Sequence, residues 1–144
     1  MRFASLILSC ILLYTPALWA EGREDAWQLL NTAEFKEIIE GDNWRVEKTI
    51  PDPLKAAAKD FEITGFFVPI LAQGQITEFL LVEDPADCPF CGSGGYGPVL
   101  EVTSKRPMPD LAEFEQITLR GQLEFNDSPE TLQLFRLKDA ILIR

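Results

Sequence analysis

The chain has 144 residues, with 13 Lys plus Arg against 23 Asp plus Glu, no histidine, and a formal charge of −10. An acidic field of this size repels nucleic acid and anionic lipid, and favours cations or a basic partner surface. The lack of histidine excludes Ser-His and Cys-His nucleophilic pairs, histidine metal ligands and the ordinary imidazole base together.

Residues 1–20 have the parts of an export signal: Arg2 as a positive start, an apolar run from Leu6 to Tyr14, then Pro16 before the small residues Ala17 and Ala20. Cleavage is expected after Ala20, which leaves 12 basic against 23 acidic residues and a charge of −11. A retained anchor fits poorly, because the run is short for a bilayer core of about 30 Å and Glu21, Arg23, Glu24 and Asp25 follow at once. A lipoprotein reading through Ile7, Leu8, Ser9 and Cys10 leaves almost no apolar run before the cysteine. No later stretch is apolar and long enough to span a membrane, so one soluble exported domain is expected.

From 21 to 60 a helical and irregular segment is expected. Asn31 followed by Glu34 has the spacing of a capping box, and Phe35, Ile38 and Ile39 share a helical face before Gly41, which predicts a short docking helix. Asp52 with Pro53 is expected to cap a second helix through Leu54 to Lys59, favoured by three alanines. Trp27 and Trp44 are expected to pack these pieces onto the main body.

From 61 to 144 the period becomes two. Phe61, Ile63 and Gly65 alternate with Glu62 and Thr64, and then Phe66, Val68 and Ile70 continue on the other parity, as a bulge or bend at the glycine would produce. A turn at Gln73-Gly74 leads to a returning strand, Ile76 to Glu83. A third strand runs from Gly97 to Thr103, and a fourth alternates Ile117, Leu119, Gly121, Leu123 and Phe125 with polar residues. Thr131 to Leu137 predicts a fifth, with Ala140 to Ile143 extending it or adding a sixth. The first and last hairpins look alike, each with a mid-strand glycine, a polar turn and a leucine-rich return. The expected fold is mainly β: a five- to six-stranded curved sheet or an OB-like barrel, of the oligonucleotide/oligosaccharide-binding type, with a short N-terminal helical segment.

Residues 83–98, EDPADCPFCGSGGYGP, depart from strand patterning and join the second and third strands. Once Cys10 leaves with the signal, Cys88 and Cys91 are the remaining cysteines, and an oxidising compartment makes them available as a local disulfide. Cys88-Pro89-Phe90-Cys91-Gly92 also looks like one knuckle of a zinc-ribbon or rubredoxin-type site. A full zinc site wants four ligands, so Asp84 or Asp87, a second protomer in a homodimer, or a partner protein would complete it, unless the ion is two-coordinate Cu(I). The same four residues resemble the active centre of glutaredoxin, yet the glycine-rich GSGGYGP that follows cannot form the helix that activates such a cysteine. That glycine run lacks the lysine and helix start of a phosphate loop. The pairs Glu113 with Glu115 and Glu83 with Asp84 read as a solvated acidic face.

The hairpin FEITGFFVPI … TEFLLV (Phe61–Ile70 and Thr77–Val82), followed by a cysteine-bearing turn, resembles an uncharacterised family of small exported proteobacterial proteins, a domain of unknown function. The resemblance covers about a third of the chain, from Phe61 to Val102, and its specific part is the G-[FY]-x-V-P to E-F-L-L-V hairpin. Family members commonly continue with Cys-x-His and a proline run. Here Cys88 takes the cysteine position, Phe90 stands where the histidine would be, and Cys91 follows. The resemblance implies a periplasmic location, and a periplasmic or membrane-transporter partner through the export components encoded beside some members. The charge of −11 and the exported compartment disfavour nucleic acid, and the lack of a second long apolar stretch predicts no membrane span in the mature chain. Together these readings predict a non-enzymatic accessory protein that binds a soft metal ion, zinc or Cu(I), or a partner through the Cys88/Cys91 loop. Thiol-disulfide exchange and an inert disulfide are the alternatives.

Overall fold

The computed structural model describes residues 21–70, 74–87 and 99–144. Helix α1 (Glu21–Leu30) is followed by strands β1 (Glu34–Glu40) and β2 (Asn43–Thr49), and then by helix α2 (Asp52–Ala57) with a 3₁₀ turn, Ala58–Asp60. Five strands complete the fold: β3 (Phe61–Pro69), β4 (Glu78–Val82), β5 (Val99–Ser104), β6 (Gln116–Phe125) and β7 (Phe135–Leu142). They close into a barrel in the order β3-β4-β5-β7-β6, and β1 with β2 forms a separate hairpin. All barrel neighbours are antiparallel except β5 and β7, which run parallel. A five-stranded Greek-key barrel closed in this way is the OB-type architecture expected from the sequence.

Closure depends on β3, which changes partner halfway along. Phe61 to Phe66 pair with β6, and Phe66 to Pro69 pair with β4. Gly65 sits at the crossing, where an added Cβ would lie 2.7 Å from both the Val82 carbonyl oxygen and the Leu81 Cγ. The glycine is there because two strands approach too closely for any side chain.

The expected change of face after Gly65 does not occur. Phe61, Ile63, Gly65 and Phe67 all point inward, and Phe67 meets Phe79 with ring centroids 5.0 Å apart. Both parities are apolar here because the outside is covered too. Val68, Leu80 and Val82 form a second buried cluster with Phe66, Val99 and Phe114. The segment before β6 supplies the cover: Phe114 N donates to the Phe67 carbonyl (2.8 Å), and Phe67 N to that of Glu115 (2.9 Å). Phe114 adopts a φ of 62°, a costly conformation for an aromatic residue. Its burial in the outer cluster offsets that cost.

Strand β7 is one continuous strand with a bulge. Between Val102 and Ser104 of β5, and between Arg120 and Gln122 of β6, it carries one extra residue. Asp139, with φ 51°, lies inside both shifts. The single bulge thus bends β7 against both neighbours. Ala140 to Leu142 extend the fifth barrel strand, whereas Thr131 to Leu134 belong to the preceding loop, against expectation.

The N-terminal segment differs most from expectation. Residues 34–40 form a strand paired to β2, not a docking helix, and Gly41 (φ 62°) begins the two-residue turn between Glu40 and Asn43. Asn31 closes α1 instead of starting a helix, its N–H donating to the Trp27 carbonyl at 2.9 Å. Helix α2 forms where expected, but Pro51 holds the N-cap position, Asp52 lies inside the helix, and no side chain caps it. Trp27 is fully buried and donates its Nε1–H to the Thr64 carbonyl at 2.8 Å. Trp44 is exposed on the hairpin and donates to Glu37 Oε2 (2.8 Å), so it does not pack on the body.

One main core joins these pieces. Ala26, Trp27 and Leu30 of α1 and Leu54 of α2 are clustered with Ile63, Phe79, Leu81, Leu100, Leu119 and Leu137 of the barrel. Each large apolar side chain so buried contributes about 1.5–3 kcal/mol. The ion pairs outside the barrel are half exposed and contribute about 0–1 kcal/mol each, so the core holds the fold.

Candidate functional site

The connection 83–98 leaves the barrel at the end of β4 and returns at the start of β5. Its last and first strand neighbours, Val82 and Val99, are register partners, and Val82 is fully buried. The segment is therefore anchored at both ends on adjacent strands, and Val82 before it and Val99 after it both belong to the outer apolar cluster. Asp84 is exposed, and its Oδ1 accepts the Ala86 N–H at 2.8 Å, an Asx-type turn that starts the 3₁₀ turn Pro85–Asp87. Asp87 ends that turn, on the backbone immediately before Cys88. The two cysteines and the glycine run lie outside the described residues. Among the described residues no three acidic or sulfur ligands gather as a metal site.

The other acidic pair has a local role. Glu115 Oε2 accepts the Ala112 N–H at 3.0 Å, bracing the turn that delivers Phe114, and Glu113 is exposed beside it. The expectation of a solvated acidic face accounts for both.

Around the barrel, polar chemistry is confined to the outside. Ser104 is the buried polar side chain among the described residues; its hydroxyl donates to the Arg106 carbonyl at 2.7 Å, with that of Thr77 at 3.3 Å. No buried side-chain nitrogen or oxygen in the described residues lacks a partner. The interior is packed apolar core, as eight or fewer strands dictate.

The sequence did not single out the outer face of β4, β5 and β7. A shallow depression of about 90 Å³ lies there between Ile70, Glu78, Glu101, Thr103 and Arg136. Arg136 donates to Glu101 Oε2 from Nε (3.1 Å) and Nη2 (2.7 Å), which fixes its guanidinium along the face. The sequence signal was the polar alternation Glu101, Thr103 and Arg136, which marks an outward face without marking a hollow. A matching cross-strand pair joins Arg120 to Glu62 at 2.6 Å with Asp60 nearby, and these contacts raise the Arg120 pKa, the Glu62 hydrogen bond most.

These features define a class: a small closed barrel of the OB type, with a packed apolar interior and, among the described residues, its charged side chains outside. Comparison with known proteins adds no relative, since no family model, curated protein or solved structure matches the chain. No helix among the described residues is long and apolar enough to cross a membrane.

Proposed function

We propose that the chain is a periplasmic, non-enzymatic accessory protein whose barrel presents the Cys88/Cys91 connection to a soft metal ion, zinc or Cu(I), or to a partner protein. The observation that carries this reading is placement. The segment that holds both cysteines springs from two register partners at the rim of a closed barrel, and binding residues concentrate on loops held by such rigid scaffolds. Thiolates at this spacing suit soft ions, and the protein's acidity favours cations near the loop.

The test is intact-mass spectrometry, native and denaturing, with thiol alkylation, on protein recovered from the compartment to which it is exported. The reading expects a chain beginning at Glu21, two alkylatable thiols and a metal adduct in the native spectrum. A Cys88→Ser, Cys91→Ser variant then loses the metal. A mass lower by two hydrogens, with no alkylation and no metal, overturns the ligand reading. In that outcome the reduction potential separates a thiol-disulfide exchanger, reducible in the glutathione range, from an inert structural bridge.

A further inference from the structure

The β1–β2 hairpin stands apart from the barrel. Every residue of β1 is exposed except the half-buried Ile38, and among the described residues β1 pairs with β2 alone. Its outer edge is identified by the pattern of hydrogen bonds. Val46 N donates away from the hairpin, to the Pro129 carbonyl at 2.8 Å, so Val46 and its register partner Glu37 do not bond to each other. Glu37 therefore turns its backbone N–H and C=O to the open edge, and Phe35 and Ile39 do the same two residues away. Such an edge is a template for another strand.

We propose that this edge pairs with β1 of a second copy of the chain, antiparallel about a two-fold axis through Ile38, to give a four-stranded sheet β2-β1-β1-β2. Charge selects both the occupant and the register. Lys36, Ile38 and Glu40 share one face; Glu40 is held by Arg45 at 2.8 Å, and Lys36 has no ion-pair partner among the described residues. With the axis through Ile38, Lys36 of each copy lies opposite Glu40 of the other, and Ile38 meets itself. Moving the axis to Glu37 sets Glu37 against itself and Glu34 against Glu40, moving it to Lys36 sets two lysines together, and moving it to Phe35 faces Glu34 with Lys36 but leaves only residues 34–36 of β1 paired. Like charges directly opposite destabilise a pair of strands and opposite charges stabilise it, so the Ile38 register wins.

The other face agrees. Ile39 is 72% exposed and is the register partner of Trp44, itself 40% exposed. In the proposed register the two copies' Ile39 residues lie diagonally across the new seam, joining both Ile39–Trp44 pairs into one apolar strip. A lone two-stranded hairpin is marginally stable in water, and four strands with an apolar strip are much less so limited. An isologous contact of this kind closes on itself and leaves no further edge of β1 to propagate.

The pairing uses neither Cys88 nor Cys91, so it and the functional reading fail separately. The first measurement is light scattering with size exclusion on the exported protein, from low micromolar concentration upward. A dimer is expected, and a monomer throughout that range overturns the proposal. Register is read by cross-linking in a Cys88→Ser, Cys91→Ser background with oxidised glutathione as oxidant. Ile38→Cys should form a covalent dimer nearly completely, since facing residues in a non-hydrogen-bonded pair have Cα atoms about 4.5 Å apart, within disulfide reach. Lys36→Cys should not, because its two copies would lie four positions apart, about 13 Å at the rise of a strand. Equal cross-linking of the two variants overturns the register. Ile38→Asp should abolish the dimer while the circular dichroism of the barrel is unchanged; a dimer that persists also overturns the proposal.

Discussion

At Gly121 backbone meets backbone: an added Cβ would lie 2.6 Å from the Lys138 carbonyl oxygen and 3.1 Å from the Ala140 Cα. Neither atom belongs to a flexible side chain, and both flank the Asp139 bulge, so relief requires β7 to move as a whole. Gly121→Ala should therefore destabilise the protein by about 1–3 kcal/mol, the range of overpacked sites, read as a lower urea midpoint at unchanged slope. Lys48 shows a milder constraint. Its Nζ donates to the carbonyls of Asn126 (2.8 Å) and Gln133 (2.7 Å), tying the hairpin to the loop between β6 and β7. Burial, the larger influence, lowers its pKa below 10.5, and Asp127 opposes that. With a lowered folded pKa, the unfolded chain binds more protons in the interval just below 10.5, so stability rises with pH there and is level at neutral pH. The Lys48 Cε resonance should titrate below 10.5, and Lys48→Met should remove the slight alkaline rise in the urea midpoint. An unshifted titration would mean that the hairpin base is hydrated.

Helix α1 and the β1–β2 hairpin are neighbours in sequence with opposite weight in the structure. Trp27 is fully buried in the common core with Ala26 and Leu30, and its indole N–H satisfies the Thr64 carbonyl. Trp27→Ala should cost about 3–5 kcal/mol, as for other buried aromatics, measured by urea unfolding. The hairpin buries little beyond Val46, so in hydrogen exchange under native conditions its amides should exchange well before those of Ile63, Leu81 and Leu119. Equal protection of both would show that the hairpin unfolds only with the barrel. This difference in burial also explains what was legible in the sequence. Strands β3 to β7 lie half in a core, and their alternation pointed to a five- to six-stranded curved sheet or OB-like barrel, of which the closed five-stranded barrel is the one that forms. Strand β1 is bathed on both faces, so no inward parity shaped it, and Phe35, Ile38 and Ile39 fall at helical spacing by chance. The false change of face after Gly65 has the opposite origin. Val68 is apolar because Phe114, 46 positions later, covers it from outside. No local pattern carries that information. For the candidate site, the sequence located the 83–98 connection between β4 and β5 and named Asp84, whose Asx turn is a local contact with Ala86, but the hollow beside Arg136 joins three strands and depends on tertiary geometry.

Taken over the whole molecule, charge and core act against each other. The chain carries −10 overall, and the cross-strand pairs Arg120–Glu62, Arg136–Glu101 and Lys138–Glu124 bring opposite charges together on a barrel that otherwise repels itself. Salt weakens both effects, since the screening length is about 10 Å at 0.1 M. Those pairs are each about half exposed and contribute little apiece, whereas the excess of acids acts over the entire surface. Repulsion should therefore be the larger quantity removed by screening. Sodium chloride raised from about 0.02 M to about 0.5 M is expected to increase the thermal midpoint by a few degrees, the shift that about 1 kcal/mol produces in a domain of this size. Guanidinium is unsuitable as the denaturant because it is itself a salt, so the scan belongs in a heated buffer series or in urea. A midpoint that falls with salt would reverse the ranking: the cross-strand pairs would then outweigh the net charge, and removing Arg136 should destabilise the barrel more at low salt than at high.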